Sequence, residues 1–197
     1  MDSLSFLKRI LAISQAGLTY GHDKYDKERY HDLHDLALRQ LSDLGNSSLS
    51  KIKNLFANET GYPTPKVDVR AFIQKNKQVL MVEDGHGKWA LPGGFGEVGW
   101  TLKENVAKEV NEETGLTAQV NNLRAIYDTD LRPDIPQTFQ YYKFIFACSI
   151  DDGNFVNNIE TIAMKWFSYD NLPPLSLKRT TKAQLKQLFD SPKIYIE

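Results

Sequence analysis

Between positions 91 and 116 the chain reads Leu91-Pro92-Gly93-Gly94-Phe95-Gly96-Glu97-Val98-Gly99-Trp100 and runs straight into Thr101-Leu102-Lys103-Glu104. Four glycines let this backbone take dihedrals closed to other residues and approach a strand or a ligand closely. Thr101 and Glu104 make the S/T-x-x-E pattern of a capping box, so the spacing predicts a helix from about Leu102, and Gly115 predicts its end. Inside that helix Glu109, Glu112 and Glu113 stand at i, i+3 and i+4, within an arc of roughly 100°, beside an apolar stripe of Leu102, Val106 and Val110. On spacing alone, such glutamates most often form a solvated face. Placed at the edge of a core-facing stripe, they repel one another, and a hard divalent cation compensates them. Oxygen-only ligands suit Mg²⁺ or Mn²⁺ over zinc, and a glycine-rich loop alongside suggests a site for phosphate oxygens.

The rest of the chain divides by hydrophobic period. Leu4, Leu7 and Leu11, then Tyr30, Leu33, Ala37, Leu41 and Leu44 before Gly45, then Leu49, Ile52, Leu55 and Phe56, recur at helical spacing. The Gly- and Pro-bearing stretch 58–66 reads as a linker. Beyond it, strands are expected at 67–72, 78–82, 116–127, 140–150 and 162–167, with a turn at 74–77, a helix over 180–189 and a short edge strand at 194–196. The reading is a small all-α domain over residues 1–60 and an α/β domain over 67–197. Short helices of this length bury too little apolar surface to be comfortable alone, so the first domain is expected to dock on the second domain or on another subunit.

Composition narrows the partners. Twenty-four basic and 25 acidic residues leave a net charge of −1, which offers no global footprint for nucleic acid. No apolar run is long enough for a membrane span. An acidic residue at position 2 and basic residues within the first apolar stretch are the reverse of a secretory signal. The single cysteine, Cys148, excludes an intrachain disulfide and fits a reducing compartment. A cytoplasmic setting is expected.

The stretch from Gly94 to Leu116 resembles the Nudix box, G-x5-E-x7-R-E-U-x-E-E-x-G-U with U aliphatic. Gly94, Glu109, Val110, Glu112, Glu113, Gly115 and Leu116 fall in register, while Trp100 stands in the first glutamate slot and Lys108 in the arginine slot. With Gln15 to Tyr20, Tyr25 to Tyr30, the Val67-Asp68-Val69-Arg70 strand and Lys88 to Gly94, the chain is similar to the CDP-choline pyrophosphatase and UDP-X diphosphatase-like Nudix hydrolases. In that subgroup a hydrophobic residue and a lysine at the two departing positions are familiar.

The resemblance implies a Nudix α/β/α sandwich with a mixed sheet, preceded by a helical domain that assists formation of a homodimer. It implies Mg²⁺-dependent hydrolysis, with Mn²⁺ as a substitute, of a nucleoside diphosphate linked to another moiety, of the CDP-choline or UDP-sugar type. An ADP-ribose pyrophosphatase, or a nucleotide-binding module without turnover, are the alternatives. Glu109, Glu112 and Glu113 would hold metal, with Glu112 and Glu113 counted as catalytic. Glu160, on a loop before the last core strand, is expected as a further ligand or base, with Glu97 as second choice. The usual glutamate three residues before the Trp166 position is here Ala163. Gly93 and Gly94 are expected to approach the substrate, as are Arg70 beside Asp68 and the loop residues Asp128 and Arg132. For these last three, a structural ion pair or a solvated turn is the competing reading. Trp100 is read as stacking or packing, Cys148 as core, and His31 with His34 as part of a charged outer helix face.

Overall fold

The computed structural model describes residues 2–155 and 161–197. The chain separates into two compact units, residues 1–65 and 66–197.

The first unit is three helices, α1 (Ser3–Tyr20), α2 (Lys24–Leu44) and α3 (Leu49–Phe56). Each begins where a side chain accepts the free N–H groups of the first turn: Asp2 from Ser5, Asp23 from Tyr25 and Asp26, Ser48 from Lys51. Its small core gathers Leu11, Ala37, Leu38 and Leu41, with Leu4, Leu7, Ile10, Leu49, Ile52 and Phe56 packed around it. The helices differ from the expected stripes in detail. Leu44 and Leu55 are exposed, and Leu38 takes the inward place. The α2 helix also stops without a left-handed glycine, because Gly45 has φ −88° and Asn46 takes the positive φ of 44°.

The second unit contains β1 (Lys66–Lys75), β2 (Gln78–Glu83), β3 (Trp89–Ala90), α4 (Leu102–Thr114), β4 (Leu116–Asp128), β5 (Tyr141–Gly153), β6 (Ala163–Ser168), α5 (Lys182–Asp190) and β7 (Tyr195–Ile196). Among the described residues the strands follow the order β3-β2-β1-β5-β4-β7, with β6 on β2. The sheet is mixed: β1 runs parallel to β5 and β4 parallel to β7, while the β1–β2, β2–β3, β2–β6 and β4–β5 pairs are antiparallel. The β1–β2 turn is tighter than expected, since Lys75 pairs with Gln78 and only Asn76 and Lys77 turn, both at positive φ, the backbone of a two-residue hairpin.

Period-two alternation sorts the strand side chains into two cores. Val69, Ala71, Ile73 and Leu80 pack with Val106 and Val110 of α4, together with Phe146 and Cys148. Phe72, Val79 and Met81 pack with Leu185 and Leu188 of α5, together with Ala125, Tyr127 and Ile145. The expected α/β/α sandwich is therefore present, with α4 on one face and α5 on the other. Cys148 is core, as expected, and burial pushes its thiol up to about 12. Trp166 packs on the α4 side and Phe167 meets Trp89 edge-on at 4.9 Å.

No helix is long and apolar enough to cross a membrane among the described residues.

Candidate active site

Along residues 67–71, before β1 meets β2, the edge of β1 opposite β5 is covered by the glycine-rich segment. Ala71 donates to Pro92 O, Val69 to Gly94 O and Gly96 to Val67 O, each at 2.8 Å, and Asp68 and Phe95 form an antiparallel bridge. Gly93 makes this approach possible. Its φ is +138°, and a Cβ there would sit 2.1 Å from Val69 O.

Helix α4 begins at the capping box that Thr101 and Glu104 form and ends on Gly115 in the left-handed region, φ 75°. One row of its side chains then meets the glycine segment in reverse order. Asn105, 1% exposed, donates Nδ2 to Phe95 O at 3.0 Å and accepts Glu97 N–H at 3.1 Å. One turn on, the Glu109 carboxyl lies against Gly94, so close that a Cβ there would stand 2.6 Å from either of its oxygens. A further turn on, Glu113, 4% exposed, accepts Gly93 N–H at 2.8 Å. Three turns at i, i+4 and i+8 thus fasten the loop along the helix.

The neighbouring row behaves differently. Lys108 bridges Glu112 at 2.7 Å and Glu97 at 3.0 Å, and these two hydrogen bonds, Glu112 first, hold its ammonium above the ordinary lysine value. The expected arc of three glutamates is present along the helix, yet Glu109 and Glu113 face the loop while Glu112 is exposed beside Lys108. Among the described residues no three acidic, histidine or cysteine side chains are gathered into a ready-made metal cage. Leu102, expected in the apolar stripe, is 36% exposed.

The donor set nevertheless fits a hard cation. Glu109 accepts no hydrogen bond or ion pair among the described residues. Burial, and then the Glu113 charge, push its carboxyl up to about 7, the behaviour of a carboxylate short of positive charge. All the nearby ligand atoms are oxygens, the chemistry of Mg²⁺ or Mn²⁺.

Arg70 is used differently from the expected phosphate contact. Buried at 4% exposure, it holds Asp68 through Nε at 2.9 Å and Nη2 at 2.6 Å and donates Nη1 to the carbonyls of Gly93 and Leu91. It is a clamp between β1 and the loop. Arg70→Met is expected to lower stability by about 3–5 kcal/mol, because Asp68 would remain buried without the partner that donates to both of its oxygens; thermal and urea melts measure this.

Asp128 is likewise occupied. It accepts both contacts from Gln140 Nε2, at 3.0 and 2.9 Å, caps the N–H of Asp130 and donates its own N–H to Glu197. Arg132 pairs with Asp134 at 2.8 Å and leans on Thr181 Oγ1 at 3.4 Å. Neither is tied to the glycine segment by these bonds. Trp100 is 48% exposed, and Glu160 lies outside the described residues.

One residue without any motif joins the site. Arg179 donates Nη2 to Glu113 Oε1 at 2.5 Å and to Gly93 O at 3.3 Å. Its backbone is held by Lys143, 2% exposed, whose Nζ donates to the carbonyls of Lys178 at 3.0 Å and Arg179 at 2.6 Å. Burial pushes that ammonium down to about 8 against the pull of Asp68.

Residues 1–56 match the family model described as a UDP-X-like, N-terminal oligomerisation domain, and residues 64–189 match the NUDIX domain model. A protein of Bacillus subtilis called putative ADP-ribose pyrophosphatase YjhB is 44% identical over 184 residues, covering 93% of this chain and 88% of that protein. A crystal structure of a UDP-X diphosphatase superposes with a TM-score of 0.66 at 38% identity, covering 98% of this chain and 97% of the other. An ADP-ribose pyrophosphatase from Streptococcus suis superposes with a TM-score of 0.62 at 34% identity, covering 68% of this chain and all of that one, 100%.

Proposed function

Because the chain belongs to the Nudix family, we propose that it hydrolyses the pyrophosphate of a nucleoside diphosphate joined to a second moiety, of the UDP-sugar or CDP-choline type, with Mg²⁺ or Mn²⁺. The observation that carries this reading is the contact of Glu109 and Glu113 with the Gly93-Gly94 backbone, which sets two carboxylates side by side along the glycine segment.

In this reading Glu109 and Glu113 would be the inner ligands and Glu112, which pairs with Lys108, the outer one. A bound divalent cation supplies charge neutralisation on the phosphate oxygens and a water acidic enough to attack phosphorus. The chain's own part is to hold the ligands at fixed spacing: Asn105 and Arg70 keep the loop in place, and the Gly93 N–H keeps Glu113 turned towards it. Glu160 remains the proposed base, since Glu97 is paired with Lys108. The helical unit, whose matching family model is described as an oligomerisation domain, would form a homodimer. Phe6, Ile13, Leu36, Leu44 and Leu55 are exposed on it.

ADP-ribose is the second reading, favoured by the name of the 44% identical relative. Phosphate release after phosphatase coupling, from CDP-choline, UDP-glucose, ADP-ribose, dinucleoside polyphosphates and nucleoside triphosphates, separates the two. Turnover of one diphosphate-linked class, abolished by EDTA, is the expected result. Glu112→Gln is expected to lower that turnover by on the order of 10²-fold or more with an unchanged melting temperature; full activity in this variant removes Glu112 from the ligand set. Silence across the panel, with nucleotide still raising the melting temperature, means a binding module.

A further inference from the structure

We propose that Arg179 is the cation that receives the substrate's diphosphate, with Lys143 as the residue that positions it. The inference rests on the hydrolase reading above and reassigns the phosphate contact from Arg70. Arg70 and Arg179 both reach the Gly93 carbonyl and Lys143 holds the Arg179 backbone; of these three cations, Arg179 is the one that is partly exposed and keeps whole nitrogens without a partner among the described residues. Arg70, its side chain 5% exposed, spends its fork on Asp68 and on two backbone carbonyls. Lys143, 2% exposed, gives two of its three N–H groups to the carbonyls of Lys178 and Arg179 and is closed off from a ligand by its burial. Arg179 is 24% exposed at its side chain and uses one nitrogen, Nη2, for both of its contacts. Its Nε and Nη1 meet no hydrogen-bond partner among the described residues. Two N–H-bearing nitrogens of a planar guanidinium, next to a carboxylate and a glycine backbone, present the fork geometry that matches phosphate oxygens.

The backbone that carries this side chain is tied down at several points. Arg179 and Thr180 both donate N–H to Ser176 O at 2.8 Å, and Ser176 N–H donates to Trp89 O at 2.9 Å. Thr180, 1% exposed, accepts Leu91 N–H at 2.9 Å, and Lys143 closes the turn from beneath. With its backbone fixed and Nη2 held by Glu113 and Gly93 O, the guanidinium has little conformational entropy left to lose when an anion binds.

The test uses imidodiphosphate, which carries the diphosphate geometry without a base, and the full-length chain in EDTA, followed by calorimetry. Arg179→Met is expected to weaken its binding about tenfold or more, Arg179→Lys to fall between, and Lys178→Met, the same charge change one residue away, to leave it unchanged. Mn²⁺ affinity, measured separately, is expected not to fall in Arg179→Met, because a positive neighbour of Glu113 has been removed. Equal imidodiphosphate binding in wild type and Arg179→Met, no saturable binding to the wild type, or a parallel loss of Mn²⁺ affinity overturns the proposal; the last outcome makes Arg179 only a support for Glu113. Arg179-dependent binding in a protein that turns over none of the nucleotide panel would instead sink the hydrolase reading and leave the anion site standing.

Discussion

Glu109→Gln is expected to lower turnover by on the order of 10²–10³-fold and, in EDTA at pH 8, to raise the melting temperature. The two effects have one cause. Burial and the neighbouring Glu113 charge hold the Glu109 carboxyl at about 7 in the folded chain, against 4.5 for the ordinary group. Between those values the native state binds more protons than the unfolded chain, so native stability falls as pH rises from about 4.5 to about 7 and stays lower above it. After discounting for a side chain that water still reaches, the penalty is about 1–2 kcal/mol. Removing the charge should therefore raise the metal-free melting temperature by about 2–6 °C at pH 8 and leave it unchanged at pH 4.5. Saturating Mg²⁺ reverses the order, since only the wild type gains the full binding energy. A variant that is destabilised in EDTA at pH 8, or that keeps full turnover, removes Glu109 from the ligand set.

Gly93→Ala and Gly94→Ala are expected to fail in opposite ways although the residues are adjacent. At Gly93 the new Cβ meets backbone, 2.1 Å from Val69 O and 2.9 Å from Arg70 Cα, at φ +138°. Backbone cannot rotate aside, so the loop must lift from β1 and give up the hydrogen bonds between Val69 and Gly94 and between Ala71 and Pro92. A loss of about 4 kcal/mol or more is expected, seen as little or no folded protein at 37 °C. At Gly94 the obstacle is the Glu109 carboxyl, 2.6 Å away, the far end of a flexible side chain. Gly94→Ala should fold with a melting temperature close to that of the wild type and lose metal affinity and turnover by displacing Glu109. Equal stability of the two variants would show that the loop is not pinned as described.

The parts of this site written in local sequence were legible. The capping box, the glycine stop after Thr114 and the glutamate arc follow from spacing within one helix, and the runs at 67–72 and 78–82 read as two strands joined by a polar turn. What local spacing does not carry is the choice between side chains of equal sequence merit. Glu109, Glu112 and Glu113 look equivalent along the helix; only the path of the glycine segment turns two of them inward and leaves the third to Lys108. Asp68 and Arg70, at i and i+2 on one strand face, announce a pair, but not that the pair is buried and has its donors committed to the loop. Arg179 lies 66 residues from Glu113 with no motif around it, and Lys143 reads as an ordinary polar strand residue until its carbonyl partners are seen. In the helical unit, Leu38 and Leu44 are equally apolar, and the packing of α1 and α3 against α2 decides which is buried.

The amides of Val69, Ala71 and Gly96 donate across the seam between β1 and the glycine segment, so their exchange with deuterated solvent can begin only when that seam parts. Three ordinary backbone positions thereby become clocks for an event at the carboxylates, readable by NMR without substrate. If a cation and a diphosphate draw the loop tighter, these three amides should slow together while the amides of the β4–β5 ladder keep their pace. The rate at which the site breathes, and whether that breathing limits release of product, would then be read from the sheet edge.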